Sequence, residues 1–123
     1  APSIFVVDDH EVFRRVARAL VTAAGCSVAG VAVDGTDAWR SLPIGPDRPD
    51  LVLVDVDLPD VSGIDLGDAL VARDRDLRVV LVSASRAADV GLDASDIGRS
   101  GVGRFVEKAD LDPAALRVLA RRA

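Results

Sequence analysis

Short apolar runs alternate with amphipathic stretches about five times along the 123 residues of this chain. That alternation predicts a parallel β-sheet with helices on both faces, because parallel strands can be joined only through long crossovers. A strand is expected over residues 4–8 and a helix over 11–24. On that helix Phe13, Val16, Ala17, Leu20 and Ala24 recur at helical spacing and form the expected inward face. Gly25 offers the stop. A second strand is expected over 27–33. Asp34-Gly35-Thr36 then opens a short helix through Leu42, with Trp39 and Leu42 expected in the core, and Pro43 ends it. Residues 43–50 hold three prolines and a glycine and read as a loop. A third strand over 51–55 leads into a helix over 63–73 carrying Leu66, Ala69 and Leu70. The fourth and fifth strands are expected over 77–83 and 104–107. Asp112-Pro113 is an N-cap and first-turn pair for a last helix with Ala114, Leu116, Leu119 and Ala120 inside. Residues 86–102 should hold the helix between the last two strands. Gly91, Gly98 and Gly101 weaken it by about 1 kcal/mol each, so a short, irregular or mobile helix is expected there.

Composition narrows the class. The length suits a single domain over residues 1–123 with one core. Half the residues are apolar, which excludes a disordered tail, yet no run approaches the roughly 18 residues of a membrane span. The first residues lack the pattern of a signal peptide. A net charge of −5 argues against a nucleic-acid surface. The single cysteine, Cys26, excludes an internal disulfide and a multi-cysteine zinc site, and reads as a small buried residue near a strand start. A cytoplasmic location is the resulting expectation. Of 15 basic residues only Lys108 is a lysine, and at a tight anionic site an ammonium and a guanidinium are not interchangeable.

Two of the apolar runs end on acids. Leu51-Val52-Leu53-Val54 closes on Asp55, within Asp55-Val56-Asp57-Leu58-Pro59-Asp60-Val61-Ser62-Gly63, and Ile4-Phe5-Val6-Val7 closes on Asp8-Asp9. An unpaired buried charge is costly, so such acids need a use. Of the common five-stranded orders, 2-1-3-4-5 makes strands 1 and 3 neighbours at the switch point, where ligands bind outside the carboxyl ends. Asp8, Asp9 and Asp55 then share one crevice. Ser83 ends strand 4 and Lys108 follows strand 5, so both face the same edge. Clustered carboxylates repel unless a proton or a cation intervenes. Oxygen ligands with two or more carboxylates suit Mg²⁺. A carboxylate ringed by a metal, an ammonium and a hydroxyl is also a competent nucleophile toward a phosphoryl group.

On these residues the chain resembles the receiver domain of two-component response regulators, over essentially its whole length. Asp8-Asp9-His10, and the lack of a proline after Lys108, are most similar to receivers that precede helix-turn-helix output domains. The resemblance implies a flavodoxin-like (βα)5 fold, a doubly wound five-stranded parallel sheet of order 2-1-3-4-5. It implies that Asp55 accepts a phosphoryl group from a sensor histidine kinase. Asp9 and Asp55 would bind Mg²⁺ directly, with the backbone carbonyl of Asp57, and Asp8 largely through a metal-bound water. Ser83 and Lys108 would hold the phosphoryl group, and Phe105 would be the switch aromatic coupled to Ser83. Asp57 and Ser85 would tune self-dephosphorylation. The implied partners are the kinase and a second copy of the chain, with neither nucleic acid nor membrane bound directly and a DNA-binding output as the controlled activity. The implied chemistry is self-phosphorylation and self-dephosphorylation, not turnover of an external substrate.

Two other readings compete. Asp55-Val56-Asp57 also resembles the nucleophile motif of haloacid-dehalogenase-type phosphatases, but those carry it on the first strand of a longer chain. A degenerate receiver serving only as an interaction module would have lost an acid or the lysine, and none is lost here. Bland assignments are expected elsewhere: His10 as a helix-start residue at the pocket rim, Trp39 in the core, Asp60 as a turn cap, and Arg117, Arg121 and Arg122 as a solvated helix face.

Overall fold

The computed structural model describes residues 1–84 and 104–121. The elements are β1 (Ser3–Val7), α1 (Glu11–Ala23), β2 (Ser27–Ala32), α2 (Gly35–Ser41), β3 (Leu51–Asp55), α3 (Gly63–Arg73), β4 (Val79–Ser83), β5 (Arg104–Glu107) and α4 (Pro113–Ala120). All strands are parallel, in the order β2-β1-β3-β4-β5. This is the order on which the predicted crevice depends. β3 and β5 have the expected bounds, and the ends of β1, β2 and β4 differ from expectation by one or two residues. The expected irregular helix at 86–102 lies outside the described residues.

The period-two alternation of each strand divides the core into two layers. Ile4, Val6, Leu51, Leu53, Val80 and Val82 face one way and pack with Ala17 and Val21 of α1 and Leu116 and Leu119 of α4. Phe5, Val7, Val52, Val54 and Leu81 face the other way and pack with Ala38 of α2 and Leu66 and Leu70 of α3. Strand β3 is buried along its whole length, which is why it reads as an unbroken apolar run up to Asp55. Each fully buried Val, Leu or Ile contributes roughly 1.5–3 kcal/mol, so this central strand anchors the fold.

Four inward-face assignments are corrected, the first on α3, where Leu66 and Leu70 are buried four residues apart and Ala69 is exposed. On α1, Val16 is exposed and Val21 is buried, because the buried stripe runs through Ala17, Val21 and Ala24, and Val16 lies one position off it. On α2, Ala38 and Leu42 turn to the sheet, four residues apart, while Trp39 is 43% exposed with the Arg73 guanidinium 4.4 Å above its ring. On α4, Ala114 is exposed, since it lies about 200° around the helix from the buried Leu116. Caps fall where the sequence placed them. Asp112 accepts from the Ala115 N–H and Asp34 from that of Asp37. Gly25 has φ of +77° at the end of α1, where Gly25 and Cys26 donate to the carbonyls of Thr22 and Val21.

Candidate functional site: an acidic cleft at the carboxyl ends of the strands

The pairing of β1 with β3 ends at Val7 opposite Val54, so the next residues, Asp8 and Asp55, emerge side by side. Among the described residues the buried polar side chains are Asp8, Asp55 and Ser83, and each stands at or just past the carboxyl end of a central strand. Asp9 and His10 follow Asp8 into α1, with His10 as its N-cap residue. One ligand atom from each of Asp8, Asp9, His10 and Asp55 lies within 4.8 Å of the others.

Several contacts fix Asp8. Its Oδ1 accepts from the His10 backbone N–H at 2.8 Å, and its Oδ2 lies 2.7 Å from Lys108 Nζ. Arg14 Nη1 donates to the Asp8 carbonyl at 2.8 Å, tying the first turn of α1 to the end of β1. Lys108 leads out of β5 into a 3₁₀ turn, and its ammonium sits 4.1 Å from the centre of the Phe13 ring. That aromatic face holds the cation over the cleft.

Asp55 is less well satisfied. Its Oδ1 accepts a long 3.3 Å bond from the Asp57 N–H. Its Oδ2 is buried without a hydrogen bond among the described residues, 3.9 Å from Lys108 Nζ and 3.8 Å from His10 Nδ1. Burial, followed by the charge of Asp8, raises its pKa from 3.8 to about 6, against the lowering pull of Lys108 and the Asp57 N–H. The seat therefore has hard oxygen donors, crowded negative charge and, among the described residues, two buried oxygens without a hydrogen bond, Asp55 Oδ2 and Asp8 Oδ2, the latter held by its ion pair to Lys108, and these residues fit a divalent cation.

The β3–α3 loop is built to keep Asp55 in place. Gly63 donates to the Val56 carbonyl, and any Cβ at Gly63 would collide with the backbone of Asp55 and Val56. Ser62 caps α3 by accepting from Ile64 and Asp65, and Asp57 bridges to Ser62. Asp60 does more than cap its own turn. Its carboxylate accepts from the N–H groups of Gly35 and Thr36 and from the Thr36 hydroxyl, which lowers its pKa and pins the loop to the start of α2. Asp60 also lines an open cleft of about 480 Å³, with Trp39, Arg40, Val61, Asp65 and Leu66 among its other walls.

The structure brings Asp8, Asp9, Asp55 and Lys108 together as the sequence predicted. Ser83 ends β4 on the strand next to Asp55, whose Cα partner there is Val82. Phe105 lies on β5 opposite Leu81, partly buried against the α2–α3 layer. The Asp57 side chain is exposed, leaving its backbone as the part nearest the cleft; Ser85 lies outside the described residues. Sequence reasoning missed Phe13, Arg14 and Gly63 as supports of the site and placed His10 only at its rim. Phe13 had been read as core by its helical spacing, and that pattern does not distinguish a ring facing the sheet from one under an ammonium.

Known proteins agree with this geometry. Residues 4–118 match the family model described as the response regulator receiver domain. The DNA-binding transcriptional activator DevR/DosR of Mycobacterium tuberculosis is 38% identical over 102 residues, covering 80% of this chain and 45% of that protein. A protein-glutamate methylesterase/protein-glutamine glutaminase of Caulobacter vibrioides is 36% identical over 97 residues, covering 77% of this chain and 27% of that enzyme. The chain thus spans less than half the length of these two relatives. The signal receiver domain of the putative response regulator NarL from Mycobacterium tuberculosis superposes with a TM-score of 0.76 at 28% identity, covering 98% of both chains.

Proposed function

This chain belongs to the response regulator receiver family, and from that premise we propose that Asp55 is its phosphoacceptor. One observation carries the assignment. Asp55 is 3% exposed, yet one of its oxygens has no hydrogen bond among the described residues and lies beside an ammonium at the mouth of the cleft. A carboxylate held in that way is a nucleophile awaiting an electrophile. In the transfer, an Asp55 oxygen forms a bond to phosphorus as the phosphorus–nitrogen bond of a kinase phosphohistidine breaks. The histidine nitrogen keeps the electron pair and takes up a proton.

Asp8, Asp9 and Asp55, with the backbone carbonyl of Asp57, would hold Mg²⁺. When bound, that ion would neutralise charge on the phosphoryl oxygens. The chain's own groups do the rest. Lys108 offsets the negative charge of the cleft and is placed to pair with the arriving phosphoryl group. Ser83 offers a hydroxyl from the neighbouring strand, and its engagement would draw Phe105 inward as the switch. The altered surface would then act on an output, which in the DevR/DosR relative is DNA binding. The chain would serve signalling rather than turnover, located in the cytoplasm with a histidine kinase and a second copy of itself as partners. No specific observation favours the phosphatase or the degenerate-receiver reading.

Intact-mass measurement tests the assignment. With Mg²⁺ and acetyl phosphate the chain should gain one phosphoryl group, and Asp55→Asn should gain none. An adduct of equal yield on the Asn variant would overturn it.

A further inference from the structure

We infer that His10 supplies an imidazole nitrogen to the cation seat, so that this domain binds divalent ions of the manganese-to-zinc series more tightly than magnesium. The inference rests on the acidic seat proposed above and specifies its preferred ion.

The placement of the ring carries it. His10 Nδ1 lies 3.1 Å from Asp8 Oδ1, 3.2 Å from Asp9 Oδ1 and 3.8 Å from Asp55 Oδ2. A ring nitrogen that close to two carboxylate oxygens needs a positive centre between them, either a proton or a metal ion. An ion bonded to nitrogen and oxygen at about 2.1 Å holds neighbouring ligands about 3 Å apart and opposite ligands about 4.2 Å apart. The three His10 separations fall within that span, and the four ligand atoms together lie within 4.8 Å of one another. The His10 side chain is 63% exposed, so core packing does not account for its turn toward the acids. The buried Asp55 oxygen without a hydrogen bond is an independent sign that the cluster is built to receive a ligand.

The chemical consequence follows from donor type. Three carboxylates alone make a hard oxygen site suited to magnesium, whereas imidazole favours later first-row ions. Coordination through Nδ1 uses the neutral tautomer that carries its proton on Nε2.

Calorimetric titration of the whole chain with Mg²⁺ and Ni²⁺, beside His10→Gln and Asp55→Asn, tests the inference. Pulsed EPR of the Mn²⁺-loaded chain adds a direct readout, because the chain has a single histidine and any imidazole ¹⁴N coupling must come from His10. The expected result is tighter Ni²⁺ than Mg²⁺ binding in the native chain. Ni²⁺ affinity should fall at least about tenfold in His10→Gln while Mg²⁺ affinity changes less than about twofold. The Mn²⁺ sample should show imidazole coupling that the variant lacks. Equal Ni²⁺ affinity in both proteins, or no coupling, refutes the nitrogen donor and leaves the acidic seat standing. Absence of any divalent binding to the native chain, or unchanged Mg²⁺ binding in Asp55→Asn, refutes the seat and the inference together. Should His10→Gln fail to fold, the EPR of the native chain decides the matter alone.

Discussion

The two ends of the sheet treat carboxylates in opposite ways. At the amino end, in the loop that leads into β4, Asp74 accepts from Gly45 N at 2.8 Å, Arg48 Nε at 2.9 Å and Asp76 N at 3.1 Å. Its pKa falls to about 2, chiefly through the Arg48 hydrogen bond and next through Gly45. At the carboxyl end Asp55 has, among the described residues, one long hydrogen bond and a neighbouring acid, and its pKa rises to about 6. The residue type is the same, and the surroundings decide its sign. An acid fully matched by donors stabilises the resting fold. An acid left short of donors costs stability and is ready for an incoming positive group.

The sharpest way to break this contrast is Asp55→Asn. Uptake of phosphoryl should vanish while the variant becomes more stable than the parent at neutral pH. The sign follows from the raised pKa. The folded state binds the Asp55 proton more tightly than the unfolded state, so parental stability falls as pH rises from about 4 to about 6. Below that window the two proteins should unfold at nearly the same urea concentration. Above it the Asn variant should lead by on the order of 2 kcal/mol. Mg²⁺ should narrow the lead by stabilising the parent alone. A variant less stable than the parent at pH 7 without metal would show that Asp55 is matched after all.

Much of this was legible in the sequence, for a physical reason. Parallel strands covered on both faces are uniform apolar runs, so an acid that ends one is conspicuous, and Asp8, Asp55 and Lys108 stood out at once. The caps Asp34 and Asp112 were equally visible, because few residue types can satisfy free N–H groups at a helix start. What could not be read was rotation and reach. Val16, Trp39 and Ala114 were placed in the core because a periodic pattern defines a stripe, not which edge of it meets the sheet. Asp60 binds Gly35 and Thr36, some 25 residues earlier, a partnership with no local signature. His10 read as a helix-start residue at the pocket rim until the fold set its ring against the three acids.

A smaller effect tests what holds Asp55 in its unmatched position. A methyl group at Gly63 meets the Asp55 carbonyl, and backbone cannot yield as a flexible side chain can. Gly63→Ala should therefore lower stability by about 1–3 kcal/mol, the usual cost of overpacking. Glycine is a weak helix former, and Ala at an open helical site would instead stabilise by up to about 1 kcal/mol. The direction of the change thus separates the two accounts. The phosphoryl adduct should also form more slowly, because the loop that places Asp55 and the Asp57 carbonyl must shift. A stabilised variant with the parental phosphorylation rate would mean that the loop has slack and that Asp55 is placed by β3 alone.

The mildest test sits at the other end. Asp74→Asn keeps the shape of the side chain but loses the charge that matches Arg48 and one oxygen that accepts from the Gly45 N–H. Its stabilising contribution should be present above about pH 4 and fade as pH falls toward 2, since its pKa lies below that of an unfolded chain. The loss in Asp74→Asn should therefore appear at neutral pH and shrink in acid, opposite in sign to the Asp55→Asn gain and over a lower window, about pH 2 to 4 rather than about 4 to 6. It should also weaken in high salt, because Arg48 and Asp76 complete the cluster near the surface. Phosphoryl uptake at Asp55 should be unaffected, as Asp74's partners among the described residues, Gly45, Arg48 and Asp76, lie away from the cleft. Unfolding curves for the two variants at pH 3, 5 and 7 would then separate an acid that holds the fold together from one that the fold holds in reserve. Parallel pH dependence of the two would mean that both carboxylates are structural.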